Sequence, residues 1–184
     1  ESFLHFYKKT RNKKFYDAVK ILLRNVCARG LYDHLLGGIA RYSTDDRWIV
    51  PHFEKMLYDN ALLAKLYIDM AQATKQEIYS TIPRGIFNYV LHEMTSPEGA
   101  FYAGQDADTE GEEGRYYFWE MKEFLDLLGP RYAKVMACHF GITSGGHLTK
   151  KNVLHINKSM ESVAKLENIA IFEIDHIFRK SKEI

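Results

Sequence analysis

Between Gly37 and Ala64 the chain reads GGIARYSTDDRWIVPHFEKMLYDNALLA, and no other stretch restricts the possible folds as much. Two glycines form a turn, and Ile39 to Tyr42 and Arg47 to Val50 read as short strands joined by the turn Ser43–Asp46. Pro51 cannot extend a ladder but suits a helix start, which predicts a helix from about His52. Phe53, Met56, Leu57, Ala61 and Ala64 then recur at helical spacing as an apolar stripe. His52, Glu54, Lys55, Tyr58, Asp59 and Asn60 lie among them, a polar density that predicts a face turned toward a cavity.

Composition narrows the function classes. With 184 residues the chain is one domain of ordinary size or part of a larger one. A hydrophobic content of 46% excludes a disordered tail, and no apolar run reaches the roughly 20 residues of a membrane-spanning helix. A formal net charge of +1 lacks the basic excess of a general nucleic-acid binder. Cys27 and Cys138 form no C-x-x-C pair, so neither a zinc site, a redox motif nor any cofactor is expected. The opening ESFLHFYKKT has no initiator Met, so the chain is expected to be a segment of a longer protein, and its short apolar stretch makes a poor signal peptide, so the cytoplasm is the expected compartment.

The remaining pattern is helical. A short helix is predicted over 2–8, then a longer one over 13–29 capped by Asn12 and ended by Gly30. The helix from 52 should run to about 72. Thr74 to Glu77 has capping-box spacing for a second helix to about Met94, with a kink or a later start at Pro83. A connection that short makes the pair an antiparallel hairpin. Strands are expected at 100–104 and 115–119 around an acidic loop, with helices at 120–128, 130–139 and 159–182, the last broken near 168. The fold class is therefore all-α, decorated by two small β-hairpins in rim loops.

Two segments carry a resemblance: LYDHLLGGIARYSTDDRWIVPHFEKMLYDNALL from Leu31, and FYAGQDADTEGEEGRYYFW from Phe101. Together they closely resemble the family that joins a thioredoxin-like domain (DUF255) to a helical toroid, which includes the YyaL-type proteins and the spermatogenesis-associated protein 20 group. The resemblance implies that residues 1–184 form part of an (α/α)6 toroid of the six-hairpin glycosidase type, similar to N-acylglucosamine 2-epimerases and cellobiose 2-epimerases. It also implies a thioredoxin-like domain in the parent chain as a partner of this segment. The chain departs from the family at Gly145–Lys151, GGHLTKK, where an acidic loop is usual.

Four constellations are candidates for chemistry. On a helix, Glu54 and Tyr58 share one face and His52 and Asp59 another, and such acid–base groups can move a proton beside a sugar carbon. Asp33, His34, Arg41 and Tyr42 offer a cation and two rings to a hydroxyl-rich ligand. Asp106 and Asp108, two apart on an extended segment, point the same way and suit glycosidase carboxylates. Their loop opens like a calcium loop, but Tyr117 stands where the bidentate acid belongs, so no metal is expected. Trp48 and Trp119 close predicted strands and present either sugar platforms or core wedges. The catalytic candidates are thus His52, Glu54, Asp106 and Asp108; Asp33, His34, Arg41, Tyr42, Trp48, Tyr58, Asp59 and Trp119 are candidates for binding. Three functions fit these residues: a sugar epimerase or isomerase acting on a carbohydrate ligand, a non-catalytic binding module that serves the thioredoxin-like domain, and a glycoside hydrolase.

Overall fold

The computed structural model of the chain describes residues 2–183. Among them the fold is mostly helical, with seven α-helices and small antiparallel two-stranded ribbons. Helix α1 (Ser2–Thr10) packs on α2 (Lys13–Ala28) through aromatic pairs, with Tyr7 and Tyr16 ring centroids 5.1 Å apart. Asn12 caps α2 by accepting the Lys14 amide, and the stripe Val19, Leu23 and Val26 is buried. Helices α3 (Leu57–Thr74) and α4 (Ile78–Glu93) form the expected hairpin, turned by Lys75 in the left-handed region at φ 59°. These four helices share one core around Leu23, Ala64, Tyr67, Met70 and Ile86. Deep in it the Tyr67 phenol donates to the Leu23 carbonyl at 2.7 Å.

A second core gathers α5 (Met121–Phe140), α6 (Met160–Glu167) and α7 (Ile171–Glu183) around Phe140, Val163, Ile174 and Ile177. Gly129, at φ 71° and ψ 165°, breaks α5 just before Pro130, where the sequence separates two helices. Asn168 adopts the left-handed conformation between α6 and α7, at the predicted break. Between the two cores lies a small cluster of Ile49, Phe53, Ala107 and Val153.

The β-structure differs from the sequence reading. β1 (Tyr42–Ser43) pairs with β2 (Pro51–His52), so the first hairpin is shifted and takes in Pro51. β3 (Lys55–Met56) pairs with β4 (Gly104–Gln105), β5 (Asp108–Thr109) with β6 (Glu112–Glu113), and β7 (Phe118–Trp119) with β8 (Asn152–Val153). The segments expected as strands at 100–104 and 115–119 therefore pair with distant partners, not with each other.

The helix expected from His52 begins at Leu57. Residues 51–56 are held extended by ladder bonds on both sides and by Asn60. That side chain accepts the Ile39 amide at 2.8 Å and donates to the carbonyls of Ile39 and Met56. The capping box at 74–77 does not form: Thr74 donates its hydroxyl to the Met70 carbonyl, and α4 starts at Ile78 and runs on through Pro83.

Candidate functional site

An extended backbone sends successive side chains to opposite faces. Along 51–56 this separates two groups of residues that a helix would have mixed. Pro51, Phe53 and Lys55 are buried, whereas His52, Glu54 and Met56 are only partly covered. The first three line a cavity of about 440 Å³ between the two helical cores; the other three face away from it.

The cavity is walled by rings and floored by an ion pair. Phe53 and Tyr117 stack with centroids 5.3 Å apart and an interplanar angle of 9°, and Tyr116 and Trp119 complete the aromatic side. Lys55, 2% exposed, places Nζ 2.8 Å from Asp33 Oδ2 and 3.0 Å from the Gly37 carbonyl. The same ammonium lies 4.3 Å from the centre of the Tyr89 ring and 4.9 Å from that of Tyr117. Burial holds its pKa below the usual lysine range, opposed by the Asp33 carboxylate. Asp33 Oδ1 accepts the Leu35 and Leu36 amides at 2.9 and 3.0 Å, which shapes the loop at the cavity edge. Burial also pushes the Tyr117 phenol well up and the Tyr32 phenol up to about 12, so both stay protonated hydrogen-bond donors at neutral pH.

His34 lines the cavity in its neutral form, its pKa lowered to about 4 by burial. Its Nε2 sits 3.2 Å from the Arg29 carbonyl, which can only accept, so Nε2 carries the proton and Nδ1 is left with a free lone pair. Close packing of the walls depends on Gly30, where a Cβ would meet the Ile49 carbonyl oxygen at 1.9 Å. A smaller recess of about 180 Å³ adjoins the cavity along Leu36, Tyr116 and Tyr117. Glu93, Asp106 and Gln105 lie in its lining, and Tyr89 donates its phenol to Gln105 Oε1.

On the outer face the remaining candidates meet one another. His52 Nδ1 donates to Glu113 Oε1 at 2.6 Å, and its Nε2 lies 3.9 Å from Glu54 Oε2. Arg41 donates to the same Glu54 oxygen at 3.0 Å. The half-exposed Tyr42 ring stacks on His52 at 5.1 Å. Tyr58 and Asp59 stand in the first turn of α3 within electrostatic reach of Arg41. Desolvation raises the Asp59 pKa, and its Oδ2 is shielded from solvent without a hydrogen-bond partner among the described residues.

The sequence-predicted residues thus fall into four places. Asp33, His34 and Trp119 line the cavity, and Trp119 also packs edge-on against Phe124 at 5.2 Å. Arg41, Tyr42, His52, Glu54, Tyr58 and Asp59 gather on the outer face. His52 and Glu54 lie before α3, so the helical face-sharing expected of them does not occur.

Trp48 is a core wedge at φ 61°, packed against the first helical core. Asp106 and Asp108 are exposed, and Asp106 accepts the Asp108 amide at 3.1 Å instead of pairing with its carboxyl. No group of three or more His, Cys, Asp or Glu among the described residues is placed to hold a metal ion. The sequence reading missed Lys55, Tyr89, Tyr117 and Glu113 as site residues. The available signal was the alternation Pro51, Phe53, Lys55, which only an extended reading would have exposed.

A human protein named spermatogenesis-associated protein 20 is 35% identical to this chain, over 77% of the chain and 21% of its own length. The mouse protein of the same name is 33% identical over the same shares. An uncharacterised protein of Caenorhabditis elegans is 29% identical over 94% of this chain and 27% of its own. The chain spans about a fifth of the length of the mammalian relatives. No protein-family profile matches it. No helix among the described residues is long and apolar enough to cross a membrane.

Proposed function

We propose that the chain is a non-catalytic ligand-binding module, part of a helical toroid, whose aromatic-walled cavity takes a single hydroxylated ring of the carbohydrate class. One observation carries this reading. The roughly sugar-sized cavity combines stacked rings with a few fixed polar groups, while the acid–base candidates His52 and Glu54 face away from it and pair with Glu113 and Arg41. Apolar ring faces suit the C–H face of a sugar; the Tyr117 phenol oxygen, whose proton goes to Gln105 Oε1, and the His34 lone pair can accept from its hydroxyls. In the parent protein the module would present this ligand to, or sense it for, a thioredoxin-like domain. A sugar epimerase needs its acid and base at the ligand, so the opposite faces of 51–56 place that reading second to binding.

Calorimetric titration with a panel of mono- and disaccharides tests the proposal. Tyr116→Ala removes an exposed ring from the cavity lip and should weaken binding at least fivefold, whereas His52→Ala should leave affinity unchanged. Loss of binding with His52→Ala but not with Tyr116→Ala would move the site to the outer face and revive the epimerase reading. Glycoside hydrolysis is favoured by one specific observation, that Glu93 and Asp106 line the same recess. Release of nitrophenol from a nitrophenyl glycoside panel, lost in Glu93→Gln, would convert the binding module into an enzyme.

A further inference from the structure

We infer that the ring bound in this cavity carries an acidic group, a carboxylate or a phosphate, seated at the α7 end of the cavity beside Ser181 and Lys182. The inference rests on the carbohydrate reading of the cavity and assigns the charge and orientation of its ligand. Among the described residues three charged side chains line the cavity: Asp33, Lys55 and Lys182. His34 is neutral, so two ammonium groups share one carboxylate, and that carboxylate is bonded to Lys55. Lys182 therefore brings a positive charge for which the described residues supply no bonded acid.

Its surroundings agree. The Lys182 stem folds back over Phe178, with Nζ 5.3 Å from the ring centre, as helical side chains lean toward the N-terminus. That direction carries the ammonium away from the last carbonyls of α7, which would otherwise satisfy it. The side chain is exposed at the cavity mouth, yet protein packed around the ammonium lowers its pKa, opposed by the Asp33 carboxylate. Next to it, Ser181 Oγ is shielded from solvent and has no hydrogen-bond partner among the described residues. Ser181 lines the cavity, and a turn about its χ1 would bring this unpaired hydroxyl to a ligand seated there.

The other end of the cleft repels an acid. Glu93 and Asp106 line the adjoining recess, so a ligand carboxylate or phosphate is disfavoured there while sugar hydroxyls can donate to both. The two ends together orient the ligand, hydroxyls toward the recess and acid toward α7.

Titrating the chain with glucose, glucuronate and glucose 6-phosphate tests this. Glucuronate or the phosphate should bind at least tenfold tighter than glucose, and whichever is tighter identifies the acid. Lys182→Ala should bring the affinity for the acid down to that for glucose, while Lys182→Arg keeps the advantage. Circular dichroism melting confirms that both variants fold. Equal affinity for glucose and both acids, or an advantage that survives Lys182→Ala, overturns the inference and leaves the carbohydrate cavity standing. Binding of none of the three overturns both.

Discussion

Lys55 and Asp33, 22 positions apart in sequence, form a buried ion pair with Nζ 2.8 Å from Oδ2 at the base of the cavity. Both are almost fully withdrawn from solvent, with side-chain exposures of 2% and 9%. Breaking such a pair strands a buried charge, so Lys55→Met should cost about 3–5 kcal/mol of stability. The double variant Lys55→Met with Asp33→Asn should cost clearly less than the sum of the single ones, since no ion is then left unpaired. Urea unfolding of the three variants measures this; strict additivity would mean that the two groups do not stabilise each other.

The outer pair behaves differently. Arg41 and Glu54 are 43% and 30% exposed, where water and salt weaken the attraction. Arg41→Ala should therefore leave the melting temperature almost unchanged. A larger loss in thermal melts would show that the outer cluster supports the fold.

Asn60 is fully buried and ties α3 to the Gly37–Ala40 loop through two hydrogen bonds to the Ile39 backbone, with a third to the Met56 carbonyl. Asn60→Ala leaves the Ile39 amide and carbonyl unpaired, at about 2–4 kcal/mol for two buried groups. Hydrogen exchange at Ile39 should accelerate in step with the global loss. A stable variant with slow exchange there would contradict the role assigned to this side chain.

Acid should destabilise the protein through its buried imidazoles. The His34 pKa falls from an ordinary 6.5 to about 4 because burial disfavours the charged ring, and burial lowers His139 as well. The unfolded chain therefore takes up protons that the folded chain refuses. Stability from His34 is complete above pH 6.5 and is lost as pH falls from there toward about 4. Melting temperature against pH for wild type and His34→Gln reads this directly. The variant should show the shallower decline, and parallel curves would refute it.

Gly37 stands at φ 83°, and a Cβ there would meet the Gly85 carbonyl oxygen at 2.3 Å. Gly37→Ala combines backbone strain with a clash against α4, and should cost at least 2 kcal/mol by the usual size of these effects. Because the Gly37 carbonyl accepts from Lys55, the same change should loosen the cavity floor. Normal sugar binding in a destabilised Gly37→Ala protein would separate the loop from the site.

The amino-acid sequence by itself determined the helices and the chemistry on offer. Local signals were enough for α2, the α3–α4 hairpin and the breaks at Gly129 and Asn168, because caps, apolar stripes and left-handed residues act within a few positions. It also marked 37–64 as the organising stretch and named Asp33, His34 and Trp119, which the cavity does contain. Which way residues 51–56 face was decided only by tertiary structure. Their pattern admits a helix, and Pro51 favours one; what keeps them extended is pairing with Tyr42 and Ser43 on one side, Gln105 on the other, and Asn60 beneath. Those partners are remote in sequence, so no local rule reports them. Their effect is to turn Lys55 inward and His52 outward, which divides one dense run of polar residues into a buried floor and an exposed cluster. Helical periodicity had merged the two; the period of an extended chain, imposed by distant hydrogen bonds, set them apart.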